Sequence, residues 1–74
     1  MRYYVDLSKF ESVKRFVAVS CSKSCPVTLK SGRFIVDGKS ILGIFSLDLS
    51  NPVMLEVEDG DYAAFDAFRI NSAV

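Results

Sequence analysis

The chain contains no histidine, and that absence removes a whole range of chemistry. A phosphorylated imidazole, a histidine-based nucleophile pair and a histidine-completed zinc site all need a ring this sequence does not have. Cysteine is nearly as scarce. Cys21 and Cys25 stand four apart, which fits neither the C-x-x-C redox pattern nor zinc-ligand spacing, and they read as free reduced thiols. Long apolar runs are missing too, since a bilayer span needs about 20 such residues and the longest here are a few. The start, Met1-Arg2-Tyr3-Tyr4-Val5-Asp6, lacks an apolar h-region, so no signal peptide is read and a cytoplasmic address is expected. No basic stretch interleaves with aromatics, so nucleic acid is not an expected partner, and neither is a membrane. Gly32, Gly38, Gly43 and Gly60 are spaced as turn and packing residues rather than as a phosphate cradle. Asp59-Gly60-Asp61 lacks the acidic ligands that would continue a calcium loop. No cofactor or metal is expected.

What is present describes a small folded domain. Of 74 residues, 50% are hydrophobic and 24% charged, with six Phe and three Tyr, a composition outside the disordered class. A single domain over residues 1–74 is expected, with a thin core, because a domain of this size buries only about 60% of the surface its unfolded chain exposes. Lys and Arg balance Asp and Glu at nine each, but eight of the basic residues and three of the acidic ones lie in residues 1–39. In an interleaved fold both halves share one surface, so the asymmetry reads as ordinary solvated faces.

Periodicity then orders the elements. Tyr3, Val5 and Leu7 alternate with Tyr4 and Asp6 as a first strand. Ser8 and Glu11 have the S-x-x-E spacing of a capping box, and Phe10, Val13, Phe16, Val17 and Ser20 form one helical stripe, predicting a helix over Lys9–Cys21. Pro26 opens a second strand, Ser31-Gly32 turns, and Arg33–Asp37 returns as a third. Ser40 precedes Ile41, Leu42, Ile44, Phe45 and Leu47, too dense an apolar set for one face of a second helix of about eight residues. Ser50-Asn51-Pro52 breaks that helix, and Val53, Leu55 and Val57 alternate as a fourth strand. Asp59-Gly60 turns, Asp61 caps, and Tyr62, Phe65 and Phe68 mark a short last helix, with Asn71–Val74 fraying. A hairpin in the middle requires antiparallel neighbours, so the expected class is α+β, an open-faced sandwich of a four-stranded antiparallel sheet with three helices on one face, βαββαβα.

The segment Lys39-Ser40-Ile41-Leu42-Gly43-Ile44-Phe45-Ser46-Leu47 resembles the Lys-Ser-Ile-Met-Gly-Val-Met-Ser-Leu pattern of Gram-positive members of the HPr family, the phosphocarrier proteins of the sugar phosphotransferase system. The likeness extends from the Ser31-Gly32 turn to Asp61 and, more weakly, over the first strand and helix. It implies the HPr fold and a regulatory serine at Ser40, the target of a bifunctional HPr kinase/phosphorylase. It also implies partner docking through Lys39, Ile41, Leu42 and Phe45, with proteins of the phosphotransferase system as partners. A Ser just before a helix is equally explained as a plain N-cap, and one hydroxyl can serve both roles.

The sequence departs from the family at its main reaction. Aligning Phe16-Val17 puts the phosphorylatable histidine's position near Lys9 and the arginine's position near Glu11. An exposed lysine, with a pKa near 10.4, is protonated and has no lone pair for a phosphoryl group, and a carboxylate repels the incoming anion. The expectation is a non-enzymatic regulatory or binding variant. Two alternatives stand beside it: a phosphocarrier using Lys9, Asp6 or Cys21 as acceptor, and an interaction module that buries Ile41, Leu42 and Phe45 in a homodimer.

Overall fold

The computed structural model describes residues 3–58 and 62–70. Its elements are β1 (Tyr3–Val5), α1 (Phe10–Cys21), β2 (Val27–Ser31), β3 (Phe34–Asp37), α2 (Ile41–Phe45), β4 (Val53–Val57) and a C-terminal 3₁₀ helix (Ala63–Phe68). The four strands form one sheet in the order β1-β4-β2-β3, every pairing antiparallel. The α+β class and the open-faced arrangement are as the periodicity predicts.

Period-two alternation decides which face of the sheet is covered. Tyr3, Val5, Val27, Leu29, Val53, Leu55 and Val57 are buried, and their registers, such as Tyr3 opposite Leu55 and Leu29 opposite Leu55, stack them across three strands. Onto this layer the helices bring Val13 and Phe16 from α1, Ile44 from α2 and Phe65 from the 3₁₀ helix, joined by Leu7 and Leu47. The Phe16 ring meets Phe65 at 5.1 Å and Phe68 edge-on at 5.5 Å, a geometry aromatic pairs prefer. The opposite face keeps Tyr4 and Glu56 exposed and Thr28, Lys30 and Met54 half-buried, with Lys30 and Glu56 paired at 2.8 Å.

The last helix owes its type to aromatic spacing. Tyr62, Phe65 and Phe68 recur every three residues, and three residues per turn aligns them on one side, against the core. The expected turn at Asp59-Gly60, the cap at Asp61 and the fraying of Asn71–Val74 lie outside the described residues.

Four local expectations shift. The first strand stops at Val5 and does not run on to Leu7, although Leu7 is buried. The hairpin turn is Gly32-Arg33, not Ser31-Gly32, because Ser31 pairs with Phe34 inside the ladder. Gly32 takes φ of +59°, as the first central residue of the turn type that suits a twisted two-residue hairpin must. Helix α1 begins at Phe10 with Lys9 in the N-cap position and no side-chain cap, so the Ser8–Glu11 capping box does not form. The cause is local competition: the Asp6 carboxylate accepts the Ser8 N–H at 3.0 Å, a turn that carries the chain one residue further before it coils. Helix α2 spans five residues rather than about eight. It tightens at its end into i→i−3 bonds, Ser46 N–H to Gly43 and Leu47 N–H to Ile44 at 3.2 and 3.0 Å.

Candidate functional site

The head of α2 is built from the β3 exit. The Ser40 N–H donates to the Asp37 carbonyl at 3.0 Å, and the Lys39 N–H donates to Asp37 Oδ1 at 2.9 Å, which together turn the chain off the sheet. Gly38 makes this exit tight. Its N–H donates to the Val27 carbonyl at 2.7 Å, and a Cβ there would lie 2.7 Å from Val27 Cγ1, so only glycine fits without displacement. Ser40 then holds extended backbone angles, φ −106° and ψ 109°, and its Oγ accepts the Gly43 N–H at 3.1 Å. The N-cap expected of Ser40 is therefore formed.

Around this half-buried hydroxyl the apolar residues separate cleanly. Ile44 and Leu47 are buried, whereas Leu42 is 81% and Phe45 42% exposed. Ile41 is half-buried against the core. One helical turn with a single buried anchor cannot turn every apolar side chain inward, so the excess faces outward.

Phe10 belongs to this surface, although its spacing suggests the core stripe of α1. It is 58% exposed, and its ring stacks on Phe45 with centroids 5.5 Å apart and planes 15° from parallel. The Lys14 ammonium stands 5.5 Å from the centre of the same ring. At 100° per residue Phe10 falls about 90° from the centre of the Val13–Phe16–Ser20 stripe, on the Lys14 side. That offset was the available signal.

Lys39 is placed differently from what a phosphate-facing cation requires. Its Nζ donates to the Lys23 carbonyl at 2.8 Å, and its own carbonyl lies 3.8 Å from the Cys21 Sγ, so its side chain ties the α2 head to the loop after α1. Nor is the helix dipole large, because a five-residue helix sums few peptide units. What the α2 head offers is a half-buried hydroxyl, its N–H partner and bare apolar neighbours.

The other candidate acceptors are scattered. Lys9 lies exposed at the head of α1, with Glu11, near the family's arginine position, exposed in its first turn, and Cys21 lies exposed at its end, roughly 18 Å from Lys9 along the helix. Asp6 sits before α1. Its hydrogen bonds from Ser8 hold its carboxyl below the usual range. Both thiols are free. Behind α2, Asp48 closes the chain by accepting from the Ser50 hydroxyl and N–H and from Asn51, and these bonds also lower its pKa. Among the described residues no helix is long and apolar enough to cross a membrane. No protein-family model, no curated protein and no solved structure matches the chain.

Proposed function

We infer that this chain is an HPr-like protein of the phosphotransferase-system type that acts in the cytoplasm by binding protein partners, not as an enzyme, and that Ser40 is its regulatory phosphorylation site. The observation that carries the reading is a capping hydroxyl set beside bare apolar side chains, Ser40 next to Leu42 and Phe45. The βαββαβα order agrees with the fold that the resemblance implies. The resemblance puts the family's histidine and arginine positions near Lys9 and Glu11, which leaves the phosphocarrier reaction without its nucleophile.

Transfer of the γ-phosphoryl group of ATP to Ser40 Oγ would form a phosphate ester, release ADP and pass the hydroxyl proton to the kinase. The product carries about two negative charges at neutral pH. Placed beside Leu42, Phe45 and the Phe10–Phe45 stack, that charge penalises an apolar partner and favours a basic one.

The test is incubation with ATP and an HPr kinase/phosphorylase, read by intact mass. One added phosphate on the wild type and none on Ser40→Ala is the expected result. An unmodified wild type, or a phosphate retained in Ser40→Ala, overturns the regulatory assignment. Label passing from phosphoenolpyruvate through the first phosphotransferase enzyme onto this chain would instead establish a non-histidine carrier.

A further inference from the structure

The two edges of the sheet are finished in different ways. Along β1 the C-terminal segment closes the edge: the Asp6 N–H donates to the Phe68 carbonyl at 2.8 Å, the Ile70 N–H to the Tyr4 carbonyl at 3.0 Å, and Arg69 bridges Val5. At the other end of the strand order lies β3, and among the described residues no strand pairs with its outer side. Its Phe34 and Ile35 are 69% and 66% exposed. Unpaired edges of this kind are templates for another strand.

The hydrogen-bond phase says which groups the edge offers. Ser31 and Phe34 flank a two-residue turn, so they form a hydrogen-bonded pair, and the phase alternates from there. Phe34 and Val36 direct their N–H and C=O groups to β2. The Gly38 N–H bond to Val27 continues that phase. Ile35 and Asp37 therefore direct theirs outward, as does the Arg33 carbonyl at the turn, with the Asp37 carbonyl already accepting from Ser40.

We propose that this edge pairs with the same edge of a second copy of the chain, antiparallel, with Ile35 on the twofold axis. The argument for a second copy is that Arg33-Phe34-Ile35-Val36-Asp37 is complementary to itself when reversed. In that register Arg33 faces Asp37 of the partner subunit, twice over, and the two Ile35 side chains meet between these ion pairs on the open face of the sheet. Phe34 meets Val36 of the partner subunit on the helical face. Asp37 keeps Oδ1 on the Lys39 N–H, and Oδ2 takes the guanidinium. Sliding the strands by two residues loses both ion pairs, so charge fixes the register. The contact is isologous and closes as a dimer with a continuous sheet through the interface. It does not depend on Ser40 or on any HPr-like role.

Sedimentation equilibrium of the full chain from micromolar to millimolar concentration tests it, with Arg33→Glu and Asp37→Lys as variants and circular dichroism as the check on folding. The wild type is expected to dimerise. Each variant alone places like charges opposite each other and should raise the dissociation constant about tenfold or more. An equimolar mixture of the two restores opposite charges at both positions and should recover a heterodimer, an outcome that simple misfolding of either variant would not give. A wild type that stays monomeric at millimolar concentration overturns the proposal. So does a mixture that fails to recover, or a dimer that survives both charge variants but is lost in Leu42→Ser, which would move the interface to α2.

Discussion

The two α-helices on the inner face are held in opposite ways. Helix α1 runs for 12 residues with no side-chain cap at its head and leans on Val13 and Phe16, both fully buried. Helix α2 runs for five residues, has Ile44 as its one buried residue and starts from a formed Ser40 cap. A long helix spreads its stabilisation along a packed stripe, so its first turn can go uncapped. A single turn has little to spread, and one hydrogen bond at its head is a large share of what keeps it. The residues nominated for function sit on the helix whose hold is slighter, where a change at one hydroxyl reaches the exposed surface directly.

The largest expected effect tests the α1 half of this contrast. Phe16→Ala removes a ring in contact with Phe65 and Phe68 and should cost about 3–5 kcal/mol. For a domain this small that loss approaches the whole stability, so the expected readout is a broad or absent thermal transition. If the variant melted near the wild type, the stripe would not be what holds α1.

Next in size come two serine substitutions made side by side. Ser40→Ala removes the acceptor for the Gly43 N–H and should cost about 1 kcal/mol, with amide exchange quickening at Gly43. Ser8→Ala deletes a hydroxyl that does not cap α1 and should stay within about 0.5 kcal/mol. Equal losses in urea titrations of the two variants would show that both helix heads are capped. The contrast would then fail.

How far the sequence could be read follows the same division. Strands β2 and β4 were legible because Val27-Leu29 and Val53-Leu55-Val57 alternate without interruption, and a buried face forces that register. The Ser40 cap and the outward Leu42 and Phe45 were legible because an apolar set denser than one helical face must spill outward. The helix starts were less so. Ser8 and Lys9 differ by one position, and the choice between them depends on whether the Asp6 side chain takes the Ser8 N–H, a competition that spacing does not settle. Phe10 escaped because it lies at the margin of its stripe, and its stacking partner Phe45 is 35 residues away in sequence. Strand order, and with it the open β3 edge, is a long-range outcome to which alternation is blind.

A third substitution sharpens the contrast by adding what α1 lacks. Lys9 already has the extended angles of an N-cap, φ −107° and ψ 140°, so Lys9→Ser needs no backbone change to offer an oxygen to the first-turn N–H groups. A gain of about 0.5–1 kcal/mol in urea titration is expected. The stripe is already in place, so the gain adds to it. No gain would mean that the Asp6–Ser8 turn holds the first turn of α1 away from capping geometry.

The smallest effect separates the two heads by their response to acid. Before α1 the chain is turned by a carboxylate, Asp6, whose pKa is lowered chiefly by the Ser8 backbone N–H and then by the Ser8 side chain. A carboxyl with a lower pKa folded than unfolded binds fewer protons in the native state, so its contribution is present above the unfolded value of about 3.9 and fades as pH falls through the folded one. Asp6 is exposed, and solvent screening keeps that contribution small. At α2 the corresponding contact is an uncharged hydroxyl with no proton to gain over the same range. Asp6→Asn keeps a carbonyl oxygen for the Ser8 N–H and removes the titration. Its stability should therefore fall less steeply than the wild type's below pH about 4, while Ser40→Ala should lower stability equally at every pH from there to neutrality. Parallel acid limbs for Asp6→Asn and the wild type would show that the turn before α1 is held by something other than its carboxylate.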